Sequence, residues 1–356
     1  MIEGKLREVI AGVAPVDRAY EARAQAVLDN LTKPQGSLGR LEHLARRVAG
    51  ITRSLCPPHE RKVVLTMAAD HGVVAEGVSA FPQEVTRQMV HNFVRGGAAI
   101  NVLARHCGAR VVVVDMGVAG DLSDLAASGA IVSKRVRGGT GNIARGPAMS
   151  RDEAVQCVVG GIEAVEQVHR AGVDLLAVGD MGIGNTTPSS AIIAAITRSE
   201  PQMVTGRGTG VDDESLARKV TVIERALRLN KPDPNDALDV LSKVGGFEIG
   251  GLAGAILCAS AKRVPVAIDG LIATAGALLA CTLCPTAREY IFASHRSQEP
   301  GHQVALRHIG QEPLLDLGMR LGEGTGAVIG LFLIEAGIRI MTEMASFSDA
   351  GVAEKL

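Results

Sequence analysis

A mostly parallel α/β sheet, wound with helices on both faces, is the fold that the sequence predicts, and three observations predict it. Five short apolar runs rich in Val each end in a polar residue: VVLTMAAD (Asp70), RVVVVD (Asp115), LLAVGD (Asp180), VPVAID (Asp269) and YIFAS, where Ser294 precedes His295. Continuous β-branched runs of this length are how strands buried on both faces look. Long helical stretches separate them, and four of the five end in an aspartate with a glycine close behind. An open parallel sheet takes its ligand in the crevice beyond the carboxyl ends of its strands. The chain therefore lines most of its acids and glycine turns along one edge, as a large polar site, and RLGEGTGA adds Glu323 to it.

Residues 2–31 read as two amphipathic helices broken at Pro15, followed by the turn KPQGSLGRLEHLA. In that turn Ser37 or Gly39 opens a helix carrying Leu41, Leu44 and Ala45. Strands and helices alternate from there to about Ser294. The tail from Gln303 is helical, and IGLFLIEAGIRIMTEMA is its apolar stretch, ending near Ser346. No repeat, charge block or low-complexity linker interrupts the chain. The economical division is a doubly wound domain over 32–302 and a small helical domain built from 1–31 and 303–356.

A chain of 356 residues is long enough to bury a full α/β core. Its 37 basic and 38 acidic residues leave a net charge of −1, which offers no footprint for nucleic acid or an anionic membrane. Aromatics are 2% with no Trp, so base-stacking platforms are absent too. The six cysteines lie mostly in apolar segments. Cys281 and Cys284 form a CxxC, but no second ligand pair accompanies it, and buried thiols are the expectation. The N-terminus MIEGKLREVIAGVAP lacks a signal-peptide core, and the longest weakly polar run, Leu271 to Cys284, is too short to span a bilayer. A cytoplasmic protein is expected.

The stretch GDMGIGNTTPSSAIIAAI is the most informative. A strand ends at Asp180, Gly182 and Gly184 allow a tight turn, and Thr187 is placed to cap a helix with Pro188 at its first position. Such a helix start suits a phosphate, or it is simply a well-capped helix. It is no dinucleotide fingerprint, because the third glycine is missing. VTGRGTGVDDESLARK holds a second glycine turn, with Asp212 or Asp213 as cap and Lys219 two turns into the helix. Solvated surface is the commoner fate of such a lysine. GGTGNIARGPAMS is a third loop, with Ser150 capping the next helix.

Glu323 lies between Gly322 and Gly324 just ahead of an apolar helix. Helix-dipole compensation accounts for a carboxylate there, but flanking glycines also leave it unshielded at a cavity rim. An apolar ligand would desolvate it and push its pKa up, towards use as a general base. His71, His295 and His302 stand near acids without any metal-ligand spacing such as HExxH. VVVVDMGVAG faintly resembles the loop that binds phosphoribosyl pyrophosphate, but Asp115 is its one acid, which argues against a magnesium-pyrophosphate donor.

Together KPQGSLGRLE, ADHGV, GNIARGPAMS, GDMGIGNTT, LSKVGGFEI, ASHRSQEPGH and MRLGEGTGA closely resemble the nicotinate-nucleotide:dimethylbenzimidazole phosphoribosyltransferase family, nearly end to end. The resemblance implies a Rossmann-like large domain, a small helical domain from both termini, and a homodimer whose partner subunit completes the active site. It implies transfer of phosphoribose from nicotinate mononucleotide to a benzimidazole nitrogen, with inversion at the anomeric carbon and with no metal or bound cofactor. By matching motif positions, Glu323 looks like the general base. Gly182, Asn185 and Thr186 fall in the nucleotide-binding turn, and Gly208, Lys219 and Ser297 match further nucleotide contacts. Phe81 and Met89 stand where the family lines its benzimidazole pocket, at positions that are polar in some relatives. Asp180 stands where relatives often carry Glu. It faces ribose and the reacting centre, or it holds the GIGNTT turn by accepting backbone N–H groups.

Overall fold

The computed structural model describes residues 2–208 and 210–353. Helices α1 (Ile2–Ala11), α2 (Arg18–Asp29) and α3 (Arg40–Thr52) lead into β1 (Lys62–Ala69). Then come α4 (Glu84–Arg95), α5 (Ala99–Cys107), β2 (Ala109–Gly117), α6 (Ser123–Ala127), β3 (Val132–Ser133) and α7 (Arg151–Arg170). The second half runs β4 (Leu175–Met181), α8 (Thr186–Thr197), α9 (Pro201–Val204), α10 (Asp213–Asn230), α11 (Ala237–Val244) and α12 (Phe247–Ala261). It ends with β5 (Val266–Ile268), α13 (Leu271–Leu283), β6 (Ile291–Ala293), α14 (Pro300–Ile309), α15 (Thr325–Glu343) and α16 (Phe347–Ala350).

All strand pairs in the sheet are parallel, in the order β3-β2-β1-β4-β5-β6. That is the doubly wound order, in which the chain reverses direction across the sheet between β1 and β4 and opens a crevice at their carboxyl ends. The alternation of side chains along β1 shows how the faces are filled. Met67 points at α12, where a Cβ on Gly251 would come within 2.7 Å of its sulfur. Val64 and Thr66 point the other way, to the start of α15. Glycines also let α7 and α12 touch backbone to backbone: a Cβ on Gly161 would lie 1.9 Å from the Gly251 carbonyl oxygen. A second, small buried cluster of Ala24, Leu28, Leu31, Ala45, Ala49 and Met341 packs α2, α3 and α15 together.

Several expectations need correction. The sheet has a sixth strand, β3, whose two residues are too few to leave a hydrophobic run. Asp180 consequently sits on the fourth strand, not the third. Helix α8 starts at Thr186 with Asn185 as N-cap, so Thr187 does not cap it and Pro188 is its third residue. Helical structure resumes at Pro300 rather than Gln303, and residues 310–324 are a non-helical strap. The longest apolar helix is α15, which is long and apolar enough to cross a membrane by length and composition. Here its apolar face packs on α3, α5 and the sheet. Other caps stand where the sequence puts them: Gly39 before α3, Ser150 with a capping box to Glu153, and Asp212 before α10. Cys284 is buried and Cys281 partly so, and desolvation pushes the Cys281 thiol up to about 12, as suits an inert thiol.

Candidate active site

Beyond the carboxyl end of β4 lies a cavity of about 380 Å³. Glu323, Asp180, Gly182, Asn185, Thr186, Gly208, Ser297, Phe81 and Met89 all line it, and of the sequence-predicted residues Lys219 alone stands behind the wall. A wider hollow of about 660 Å³ against α3 holds five arginines. Several of them are committed to structure there. Arg40 donates to the Pro313 and Glu312 carbonyls, and Arg47 to those of Glu289 and Ile291.

The turn after β4 is built around one side-chain contact. Asn185 Nδ2 donates to Asp180 Oδ2 at 2.9 Å, so the residue at the N-cap turns away and leaves α8 without a side-chain cap. A twelve-residue helix then presents its positive end to the cavity. Asp180 accepts no backbone N–H of the turn through its side chain, and its Oδ1 has no protein partner. Burial drives its pKa well above the usual carboxylate range. The charge of Asp269 adds to this, Asn185 opposes it, and Glu248 and Glu323 push further up.

Beside the helix start, Lys219 is 1% exposed and not the solvated lysine that its helix position suggests. Its Nζ donates to Thr186 Oγ1 at 2.6 Å and to the Gly206 carbonyl at 3.1 Å. Burial lowers its pKa to about 8, against the pull of Glu299. Gly208, at φ +54°, must be glycine here, since a Cβ would sit 2.8 Å from Thr186 Oγ1 and 3.3 Å from the lysine Nζ. Its N–H goes to Glu299 Oε1 at 2.8 Å and its carbonyl to Arg320 at 2.9 Å. Ser297 Oγ accepts the Glu299 N–H at 3.3 Å.

Across the cavity the strap carries Glu323 inwards. Its Oε2 accepts the N–H of Ile100, at the start of α5, at 3.1 Å. Burial raises its pKa, the Ile100 amide opposes, and the Asp269 charge adds to the rise. Val85, Met181, Ile183, Leu271, Ile272 and Leu321 supply an apolar wall next to Phe81 and Met89. Phe81 is half exposed at the mouth.

Reasoning from single residues does not find His295, Glu299 and Arg320 as cavity residues, although each falls inside ASHRSQEPGH or MRLGEGTGA. Among the described residues no cluster of three His, Cys, Asp or Glu is arranged to hold a metal. His71 Nε2 pairs with Glu248 Oε1 at 2.7 Å, and His302 contacts Thr274 Oγ1 and the His295 carbonyl, with burial holding its pKa at about 4. Asp115 caps its own turn by accepting the Gly117 and Val118 amides.

The chain matches the sequence profile of a family described as Phosphoribosyltransferase over residues 13–352. A nicotinate-nucleotide--dimethylbenzimidazole phosphoribosyltransferase of Geobacter sulfurreducens is 59% identical over 349 residues, 98% of each chain. The protein of the same name from a Roseiflexus species is 57% identical over 351 residues, 99% of each. The crystal structure of CobT from Thermus thermophilus superposes with a TM-score of 0.91 at 47% identity, covering 95% of this chain and 100% of that one.

Proposed function

The chain belongs to the phosphoribosyltransferase family that its residues 13–352 match, and on that footing we propose that it moves phosphoribose from nicotinate mononucleotide to 5,6-dimethylbenzimidazole. The products are α-ribazole 5′-phosphate and nicotinate, for assembly of the cobalamin nucleotide loop. The observation that carries the reading is the placement of Glu323. A carboxylate with a raised pKa, fixed by one backbone amide, stands at the rim of a cavity with an apolar wall on one side and a free helix start on the other.

In this reading the donor phosphate sits at the start of α8, beside Thr186, Gly208 and Lys219, with Ser297 and Gly182 completing the nucleotide wall. The acceptor ring lies against Phe81 and Met89. One ring nitrogen attacks the anomeric carbon from the face opposite nicotinate, forming the new C–N bond with inversion. The old C–N bond breaks, its electron pair returns to the pyridine nitrogen, and nicotinate leaves. The acceptor's other nitrogen then holds a surplus proton, which Glu323 takes as general base. Asp180 stabilises the positive charge that develops on ribose, an electrostatic role that needs no proton transfer. No metal or bound cofactor enters this scheme.

The same reading includes a homodimer, a cytoplasmic location and the division into 32–302 and a small helical domain from 1–31 and 303–356. Exposed Val102 on α5, Phe332 on α15, and Leu317 and Leu321 on the strap support a second copy, and Leu321 also lines the cavity. A buried cluster holding Leu28 of α2 and Met341 of α15 supports a small domain from both termini, and it also takes in Ala45 and Ala49 of α3. The test is product identification by mass spectrometry with nicotinate mononucleotide and a panel of azoles and purines. α-Ribazole 5′-phosphate is the expected product, and turnover with a purine but not with benzimidazoles would replace the acceptor assignment.

A further inference from the structure

Asp269 follows β5 and is fully buried, yet its carboxylate is taken up mainly by backbone. Oδ2 accepts the Gly324 N–H at 2.9 Å, while Oδ1 accepts those of Gly326 at 2.8 Å and Ala327 at 3.3 Å. These amides lie directly after Glu323 in the chain. That residue has φ +64°, between Gly322 at +90° and Gly324 at +97°. A side chain other than glycine is strained in this left-handed region and stays there only where its surroundings fix it. Three contacts fix it here. Asp269 grips the next amide, Thr66 Oγ1 donates to the Glu323 carbonyl at 2.9 Å, and the Glu323 N–H reaches the Asp180 carbonyl at 3.1 Å. Gly179 on β4 makes room for this crossing, since a Cβ there would lie 2.1 Å from the Gly324 nitrogen.

We propose that Asp269 is a positioning residue for the transfer: it locks the Glu323 peptide in its left-handed conformation and holds a fixed negative charge behind the cavity carboxylates. This rests on Glu323 being the base. The titratable and charged groups around Glu323 are Asp180 from β4, Asp269 beyond β5, His295 beyond β6 and Arg320 on its own strap, with the α5 amides as the facing dipole. His295 Nδ1 is 3.6 Å from Asp269 Oδ1, so the ring shares the same anchor. Removing the Asp269 charge lowers the pKa of Glu323, because a neighbouring anion is among the causes that hold it up.

The test is a pair of variants, Asp269→Asn and Asp269→Glu, each made in the parent and in a Glu323→Gln background. Asp269→Asn is expected to lower kcat by about 10- to 100-fold through misplacement of the base, with both Michaelis constants within about threefold. The acid limb of its kcat/KM profile moves to lower pH. In the Glu323→Gln background the same change costs less than about threefold, because the group it positions is already gone. Full additive losses with an unmoved acid limb overturn the proposal. If Asp269→Asn yields no folded protein, Asp269→Glu decides. It keeps the charge, so it should lose turnover with an unshifted limb in the parent and lose little more in Glu323→Gln. Equal losses in both backgrounds refute it. Failure of the underlying reading is separate: Glu323→Gln by itself would then turn over within about tenfold of the parent.

Discussion

Replacing Lys219 by methionine tests the donor phosphate site in two ways at once. The side chain is 1% exposed, and its ammonium hydrogen-bonds two neutral oxygens, with the charge of Glu299 offsetting part of the cost of burial. Holding a lysine pKa down from 10.5 to about 8, at roughly 1.4 kcal/mol for each factor of ten, means that the free protein carries a cost of about 3 kcal/mol for keeping this amine charged at neutral pH. A depressed folded pKa places the favourable contribution at high pH and removes it as pH falls through about 8. Lys219→Met should therefore raise the Tm of the free protein at pH 7, with the gain fading above pH 8. A bound phosphate reverses the balance by supplying the missing anion. One charge-assisted hydrogen bond contributes about 1.5–3 kcal/mol, so the donor Michaelis constant should rise roughly 10- to 150-fold while that for the benzimidazole changes little. Initial rates with each substrate varied in turn, and thermal unfolding with and without nicotinate mononucleotide, give both readings. An unchanged donor constant would remove Lys219 from the phosphate site, whatever the Tm does.

Glu323→Gln keeps the shape of the side chain but cannot accept the acceptor proton, so turnover should fall about 10²- to 10⁴-fold while calorimetry still finds nicotinate mononucleotide binding. Asp180→Asn should lower turnover without lowering Tm. A carboxyl with a raised folded pKa contributes stability only at low pH and loses it as pH rises through that value, so the neutral amide relieves a cost at pH 7. A lower Tm together with weaker donor binding would instead make Asp180 a structural support of the turn. Exhaustive chelation should leave activity intact, and a loss that magnesium or zinc restores would revive a metal role for His71, His295 or His302.

The main strands were legible because buried parallel strands are both apolar and β-branched, and the acids at their ends marked the working edge of the sheet. Strand β3 was not, since two residues carry no periodicity. The fate of Lys219 was also hidden from helix position, because α10 buries it against Thr186, some thirty residues earlier in the chain. For Asp269 the sequence offered only an acid at a strand end. What it grips depends on the strap crossing Gly179, a contact between segments far apart that no local pattern encodes. The Thr187 cap failed for a similar reason: Asn185 is drawn to Asp180 by the geometry of the strand end, and the helix begins one residue earlier.

The charges in the cavity give it a direction. Lys219, Arg320 and the start of α8 gather at one end, where Gly208 is pinned between Glu299 and Arg320. Asp180, Asp269 and Glu323 gather at the other, each with a pKa raised by burial. Among the described residues no lysine or arginine pairs with this second group, so ionising all three acids together is unfavourable in a buried setting. In the proposed reaction the donor phosphate takes the first end, and the pyridinium nitrogen of the donor then lies towards the second. On that proposal the breaking C–N bond lies beside the carboxylates. As the bond breaks, positive charge moves from the pyridinium to ribose and then, with the attack, to the acceptor ring. The proposed roles of Asp180 and Glu323 keep that charge next to a carboxylate already in place at each stage, so the protein need not reorganise during the reaction, which is the condition under which fixed charges stabilise a transition state most.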